Sequence, residues 1–361
     1  MSDHTSKSLK PPSLAIGPAN YAGQATAWAA AVEKHLKVSA WSFAEAPVGK
    51  GGFRFDVDKP IRRALFRNPV ARRIRSRKLF ANVTHVALDG FEPYFHLKRR
   101  HKFAGDLAWL NKAGYKTALI AHGSDVRDPR RHIEINGKWS MYLAGEAEWR
   151  DELTRSARLH RAIAQSSGRP VFYSTPDLGI DLEDGEWLPV CLDLNAWRTD
   201  APLLERDKPR VLHVPSKRNP PIKGTQFVDP VLRKLARAGK IEYVCPESIP
   251  HSEMRSLVHG VDIVVDQLLA GSYGVAAIEA MSAGRITVGR LAGPVLDLMP
   301  EVPPMVQTTP DELEETIVKI VENRDHYHPL GRDGVEFTRS WHNGRASAKA
   351  LGAYLGALNG V

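Results

Sequence analysis

The 361-residue sequence predicts an α/β protein made of two doubly wound, Rossmann-like domains that face a central cleft. Three observations carry this prediction. Short apolar runs alternate with stretches of helical periodicity, and the alternation occurs twice. A polar, proline-bearing stretch with little periodicity, residues 194–209, separates the two series. Alternating βα units imply parallel sheets covered by helices on both faces. The domains are drawn at 1–193 and 210–340, with a last helix at 341–358 as a candidate to pack back on the first. A composition of 43% hydrophobic and 25% charged residues is that of a globular chain and excludes a disordered tail protein or a collagen-like fibre.

The elements follow in order. Leu14-Ala15-Ile16 reads as a strand that ends in the turn Gly17 to Gly23. Trp28, Val32 and Leu36 then recur four apart on one helix face. Further strands are expected at 40–43, 83–88, 117–121, 171–173 and 187–191, with helices at 103–113 and 147–164. The second series gives strands at 211–214, 241–245, 263–265 and 286–289, and helices at 226–238, 252–259, 274–283 and 310–323. In the tail, Leu351 and Leu355 lie four apart, as on a helix.

No run reaches the roughly 18 apolar residues of a membrane span, and the polar first thirteen residues lack a secretory core. The expected location is therefore the cytoplasm, with the inner membrane face as a candidate site of peripheral attachment. Cys191 and Cys245 both sit in apolar runs and read as buried small hydrophobes rather than a disulfide or metal site. The net charge of +9 is concentrated: residues 54–78 hold ten Lys/Arg against Asp56 and Asp58, and residues 98–102 add four more cations. Ile61, Leu65, Phe66, Val70, Ile74 and Leu79 interleave with these arginines as a candidate buried side, although Pro69 breaks or bends any helix there. The patches suit an anionic membrane surface or a phosphorylated acceptor. They show little of the aromatic interleaving of a single-strand platform, so nucleic acid is not the expected partner. Asp56-Val57-Asp58 resembles a metal-binding D-x-D only in spelling and reads as charge partners of the arginines. No group is spaced as a metal site.

Two segments carry chemistry. Ser216, Lys217, Arg218 and Lys223 lie just after the first strand of the second half, where free helix N–H groups and the helix dipole favour a diphosphate. The second runs from a buried strand through Asp266, Gln267, Gly271, Ser272, Tyr273 and Gly274 into a helix bearing Glu279 among apolar neighbours. Its turn N–H groups suit phosphate, and the carboxylate suits a ribose diol. His122, at a strand end, is a candidate sugar partner or proton carrier. Asp125 reads either as an orienter of an acceptor hydroxyl or as a turn cap.

These motifs resemble the GT-B glycosyltransferases, and within them the retaining enzymes of glycosyltransferase family 4. Residues 271–284 resemble that family's E-x7-E element, and Ser216 to Lys223 its diphosphate loop. The turn ending at Gly23 resembles its glycine-rich first loop, and residues 121–127 its cleft-facing loop. Gly271 stands where the family has its first glutamate, which is expected to contact the donor sugar. The resemblance implies a nucleoside-diphosphate sugar as donor substrate, no metal or other cofactor, and retention at the anomeric carbon. It also implies ribose binding by Glu279, and a glycan or lipid-linked acceptor of cell-surface or secreted polysaccharide synthesis. The expected activity is thus hexosyl transfer, with His122, Lys223, Arg218 and Glu279 as catalytic candidates. The rivals are a degenerate glycosyltransferase-like partner, a GT-B epimerase or a phosphorylase. Residues 246–251 are the candidate base contact.

Overall fold

The computed structural model describes residues 10–45, 55–62, 68–94, 102–215, 223–246 and 249–357. Its first sheet takes strands β1 (Ser13–Gly17), β2 (Ser39–Glu45), β3 (Lys59–Ile61), β4 (His85–Asp89), β5 (Lys116–Ala121), β6 (Val171–Tyr173) and β7 (Glu186–Trp187). Helices α1 (Gln24–Leu36), α2 (Pro69–Leu79), α3 (Lys102–Lys112), α4 (Pro129–Asn136) and α5 (Ala147–Ser166) connect them. After the short α6 (Leu194–Trp197), the second sheet takes β8 (Arg210–Leu212), β9 (Glu242–Val244), β10 (Ile263–Val265), β11 (Ile286–Gly289) and β12 (Val306–Gln307). Around it lie α7 (Thr225–Arg237), α8 (His251–His259), α9 (Val275–Ser282), α10 (Gly293–Leu296), α11 (Leu313–Glu322), α12 (Arg324–Tyr327) and α13 (Pro329–Trp341); α14 (Arg345–Leu355) follows.

Both sheets are parallel throughout. The first runs β3-β2-β1-β4-β5-β6-β7 and the second β12-β11-β10-β8-β9. In each the order reverses once, between β1 and β4 and between β8 and β10. Such a reversal leaves a crevice at the carboxyl ends of the two strands, because their following connections leave in opposite directions.

Each sheet buries an apolar layer: Phe43, Phe80, Leu88 and Leu119 on one face of the first, Leu14, Ile16, Trp28 and Ile120 on the other, and Val211, Ile263, Val265 and Val288 in the second. The chain returns at His342, whose Nδ1 donates to Val190 O at 2.7 Å, and α14 then packs on α1 through Ala348 and Leu351.

Some elements differ from their sequence reading. Pro69 does not break α2 but starts it: it stands at the first helical position, where its missing N–H costs nothing, and Asn68 Oδ1 caps the helix by accepting from Val70 N and Ala71 N. Val70 and Ile74, read as buried, are 70% and 63% exposed among the helix's arginines. The 187–191 strand stops at Trp187, since Leu188 onward turns toward the second domain. Cys191 is buried, whereas Cys245 is only half-buried at a strand end.

Candidate active site between two crevices

The first crevice is organised by Asp89, a fully buried carboxylate at the end of β4. Its Oδ1 accepts from Ala19 N at 2.7 Å and its Oδ2 from Asn20 N at 2.8 Å. These two N–H groups of the turn that ends at Gly23 are thus already bonded. Asp89 Oδ2 also lies 3.2 Å from His122 Nε2, beyond the end of β5. The carboxylate can only accept from that nitrogen, so the neutral ring keeps its lone pair on Nδ1. The His122 ring stacks on Trp28 and meets the edge of Tyr21. Asp125 caps its own turn, accepting from His122 N and Gly123 N. Asp58 bonds the amide and hydroxyl of Ser42, which ties its loop to β2.

The second crevice holds two acid–base pairs. Lys223 Nζ, just before α7, lies 3.3 Å from Asp266 Oδ1 at the end of β10, while the buried Asp266 Oδ2 has no hydrogen-bond partner among the described residues. A side chain at Gly274 would approach Asp266 Oδ2 and Gln267 Nε2, so glycine keeps the turn open toward the carboxylate. Glu279, on α9, is buried and pairs with His251 Nε2 at 3.3 Å at the start of α8. Burial pushes the Glu279 carboxyl above its usual range, and the hydrogen bond to Glu279 raises His251 in turn. Behind them His213 Nδ1 donates to Val265 O and its Nε2 accepts from Thr225 Oγ1, fixing β8, β10 and the start of α7 together; burial lowers this ring to about 4 and keeps it neutral.

Phe55 joins the two crevices. Its ring meets His251 edge-on at 4.9 Å between centroids. On its other side it covers Gly23, whose left-handed backbone (φ 74°) starts α1 and where a Cβ would come within 2.9 Å of the Phe55 ring. The path Gly23–Phe55–His251–Glu279 crosses the cleft from one domain to the other.

Three expected site residues behave otherwise, and three lie out of view. Tyr273 points into the seam between the domains, packed on Phe337 and donating to His342 Nε2, so its ring is structural and does not line the crevice. Gly271 has a left-handed backbone (φ 66°), and a Cβ there would run into Asn136 Oδ1 of the first domain. Asn136 is itself held by Arg290 Nη2 at 2.5 Å, so a contact between the domains fills the space beside Gly271. Ser272 is buried, its Oγ without a partner among the described residues. Ser216, Lys217 and Arg218 lie outside the described residues. Among those described, no group of three or more His, Cys, Asp or Glu side chains could hold a metal ion, and no helix is long and apolar enough to cross a membrane.

Sequence reasoning missed Asp89, Phe55 and His213. The signal for Asp89 was present: it is the acid that ends the apolar run 83–88, at the carboxyl end of a strand bordering the reversal.

Two parallel sheets whose facing crevices carry acid–base pairs define a two-domain α/β protein of the GT-B type. No family model matches the chain, and no curated protein matches it. Solved structures do. Sucrose-phosphate synthase from Thermosynechococcus elongatus aligns over 95% of this chain and 98% of its own, at 14% identity and a TM-score of 0.60. HepE from Anabaena, in complex with UDP and glucose, aligns over 96% of this chain and 100% of its own, at 12% identity and a TM-score of 0.61. WaaG, a glycosyltransferase involved in lipopolysaccharide biosynthesis, aligns over 94% of this chain and 99% of its own, at 10% identity and a TM-score of 0.54. The chain has the GT-B fold these glycosyltransferases share.

Proposed function

We propose that the chain is a glycosyltransferase that moves a sugar from a nucleoside-diphosphate donor, held in the β8/β10 crevice, to a glycan or lipid-linked acceptor facing the β1/β4 crevice. The observation that carries this reading is the pairing of Lys223 with Asp266 and of Glu279 with His251 around one reversal point. A cation, two carboxylates and two helix starts there match a ligand with a diphosphate at one end and a ribose diol at the other. UDP and glucose in the HepE complex give a first donor to try.

In this reading Lys223 turns from Asp266 to the departing diphosphate, with Arg218 and Lys217 from the preceding loop. Its charge is worth most as negative charge grows on the leaving oxygen. Glu279 accepts from the ribose hydroxyls. Transfer proceeds with retention and without a metal ion: the C1–O bond to the diphosphate breaks and a bond to the acceptor oxygen forms on the same face. The acceptor's proton passes to the departing phosphate oxygen. His122, its ring fixed by Asp89, offers Nδ1 to a sugar hydroxyl. The exposed Val70 and Ile74, set among Arg73, Arg77 and Lys78, support peripheral attachment to an anionic membrane carrying a lipid-linked acceptor.

Gly271 favours a second reading, a protein that binds a nucleotide sugar without transferring it, because Asn136 fills the place of a donor-sugar contact. A thermal-shift screen with uridine, guanosine, adenosine and thymidine diphosphates and their sugar conjugates, repeated with Glu279→Ala and Lys223→Ala, tests the site. Stabilisation by one nucleotide, weakened by both substitutions, supports it, and no shift with any nucleotide overturns it. Product formed from that donor and added acceptor separates transfer from mere binding.

A further inference from the structure

Behind the cleft, on the far side of the seam, lies a second cavity of ≈ 460 Å³, a volume suited to a small metabolite. One wall is α1 of the first domain, with Ala27, Ala31 and Lys34. The opposite wall is the end of α9 and the face of α13, with Ser282 and Arg339, and the chain's crossing at 191–198 closes it with Cys191 and Arg198. Lys34, Arg198 and Arg339 are exposed around it, and the lining between them mixes the alanines of α1 with Ser282, Thr338 and Asn343. Three cationic side chains line it against a single carboxylate, Asp193, whose Oδ1 is engaged in capping α6 through Ala196 N. Arg339 is held by Glu336 and Arg198 reaches Asp200 at 3.8 Å, pairs exposed enough to exchange for a ligand anion.

We propose that this cavity binds a small phosphomonoester, its phosphate held by Lys34, Arg198 and Arg339 and its carbon skeleton lying over the alanines of α1, and that the bound ligand sets the relative position of the two domains. The physical link is short. The eight-residue helix α9 bears Glu279 of the donor crevice and ends at Ser282 on the wall of the back cavity, while α13 packs directly on it. Because the two cavity walls belong to different domains, any rotation that opens or closes the cleft changes the distance between Lys34 and Arg339. A ligand spanning them favours one orientation, and by linkage its affinity and that of the nucleotide change each other by the same factor. The coupling rests on the donor reading above; the cavity itself does not.

The test is calorimetric titration of the full chain with glycerol 3-phosphate and with glucose 6-phosphate, glycerol and glucose serving as uncharged controls. Lys223→Ala is the background in which the donor crevice is weakened. Binding of either phosphomonoester in Lys223→Ala is expected, with a loss of roughly tenfold or more in Lys34→Ala and Arg198→Ala. Ala27→Phe, which fills the cavity and leaves its charges in place, is expected to abolish it. Lys34 and Arg198 are exposed, so their removal leaves folding intact. Absence of binding by both phosphomonoesters, or binding unaffected by Ala27→Phe, overturns the proposal. In the wild type, saturating phosphomonoester is expected to change nucleoside-diphosphate affinity roughly fivefold. Cavity binding with no nucleotide binding at all would overturn the donor reading and leave the cavity standing. Nucleotide binding without phosphomonoester binding would do the reverse.

Discussion

The two crevices occupy equivalent places in their sheets but are finished differently. At β1/β4 one buried carboxylate, Asp89, accepts from two backbone N–H groups and orients His122, so each of its oxygens is used within the protein. At β8/β10, among the described residues, the buried Asp266 has one oxygen on Lys223 and no partner for the other, and Glu279 pairs with His251, which is itself partly exposed. The first crevice is internally satisfied and is a rigid surface for something to dock on. The second is left under-satisfied, and its cations are held loosely enough to turn to a ligand. Unbonded buried oxygen costs stability, and such cost is tolerated where a site must keep its groups available.

Removal of the two carboxylates breaks this comparison most strongly. Asp89→Ala strands two buried N–H groups and releases His122, and is expected to cost about 4 kcal/mol in denaturant unfolding. Asp266→Ala removes a half-bonded charge and leaves Lys223 near solvent, so its cost is expected to stay within about 1 kcal/mol while nucleotide affinity changes. Equal losses would mean that the second crevice is as structural as the first.

Next in size is an attempt to place a carboxylate at Gly271. Gly271→Glu forces a side chain onto a left-handed backbone and into Asn136, and is expected to cost about 2 to 3 kcal/mol. Pairing it with Asn136→Gly is expected to restore part of that stability. A fully stable Gly271→Glu single variant would show that Asn136 does not occupy the space.

Smaller still is the effect on affinity of the one carboxylate proposed to touch the ribose. Glu279→Gln keeps the volume and loses the charge, and is expected to weaken nucleoside-diphosphate binding by about tenfold while leaving the corresponding deoxyribose nucleotide less affected. Equal loss for both sugars would remove the ribose role.

Legibility in the sequence tracks the same contrast. The strands and most helices were readable because parallel strands buried on both faces give compact apolar runs such as Val83 to Leu88 and Ile263 to Val265. The edge strands β3 and β12 were not, since Lys59-Pro60-Ile61 and Val306-Gln307 mix polar residues or proline with a single apolar residue and form no apolar run. Lys223 and Glu279 could be found because they belong to a local strand-to-helix junction. Phe55 and Asn136 could not be assigned roles, and the pairing of His251 with Glu279 could not be foreseen, because each acts across the cleft or between distant loops, and no spacing along the chain encodes those meetings. Tyr273 was misread for the complementary reason: a residue in a glycine-rich turn looks available until Phe337 and His342, more than sixty positions on, are seen to cover it.

The mildest expected effect sharpens the account of the second crevice through pH. The hydrogen bond to Glu279 raises His251 above its ordinary 6.5, so the stability it contributes is present below that value and is lost as pH rises through the raised one. At the acid end the pair fails as Glu279, itself raised by burial, takes up a proton. The difference in stability between wild type and His251→Asn is therefore expected to peak between these two titrations. It should stay below about 1 kcal/mol, because His251 is partly exposed. Melting temperatures of both proteins from pH 5 to 9 measure it. A difference that does not vary with pH would mean that His251 meets Glu279 only as a neutral donor, and the second crevice would then hold one ion pair instead of two.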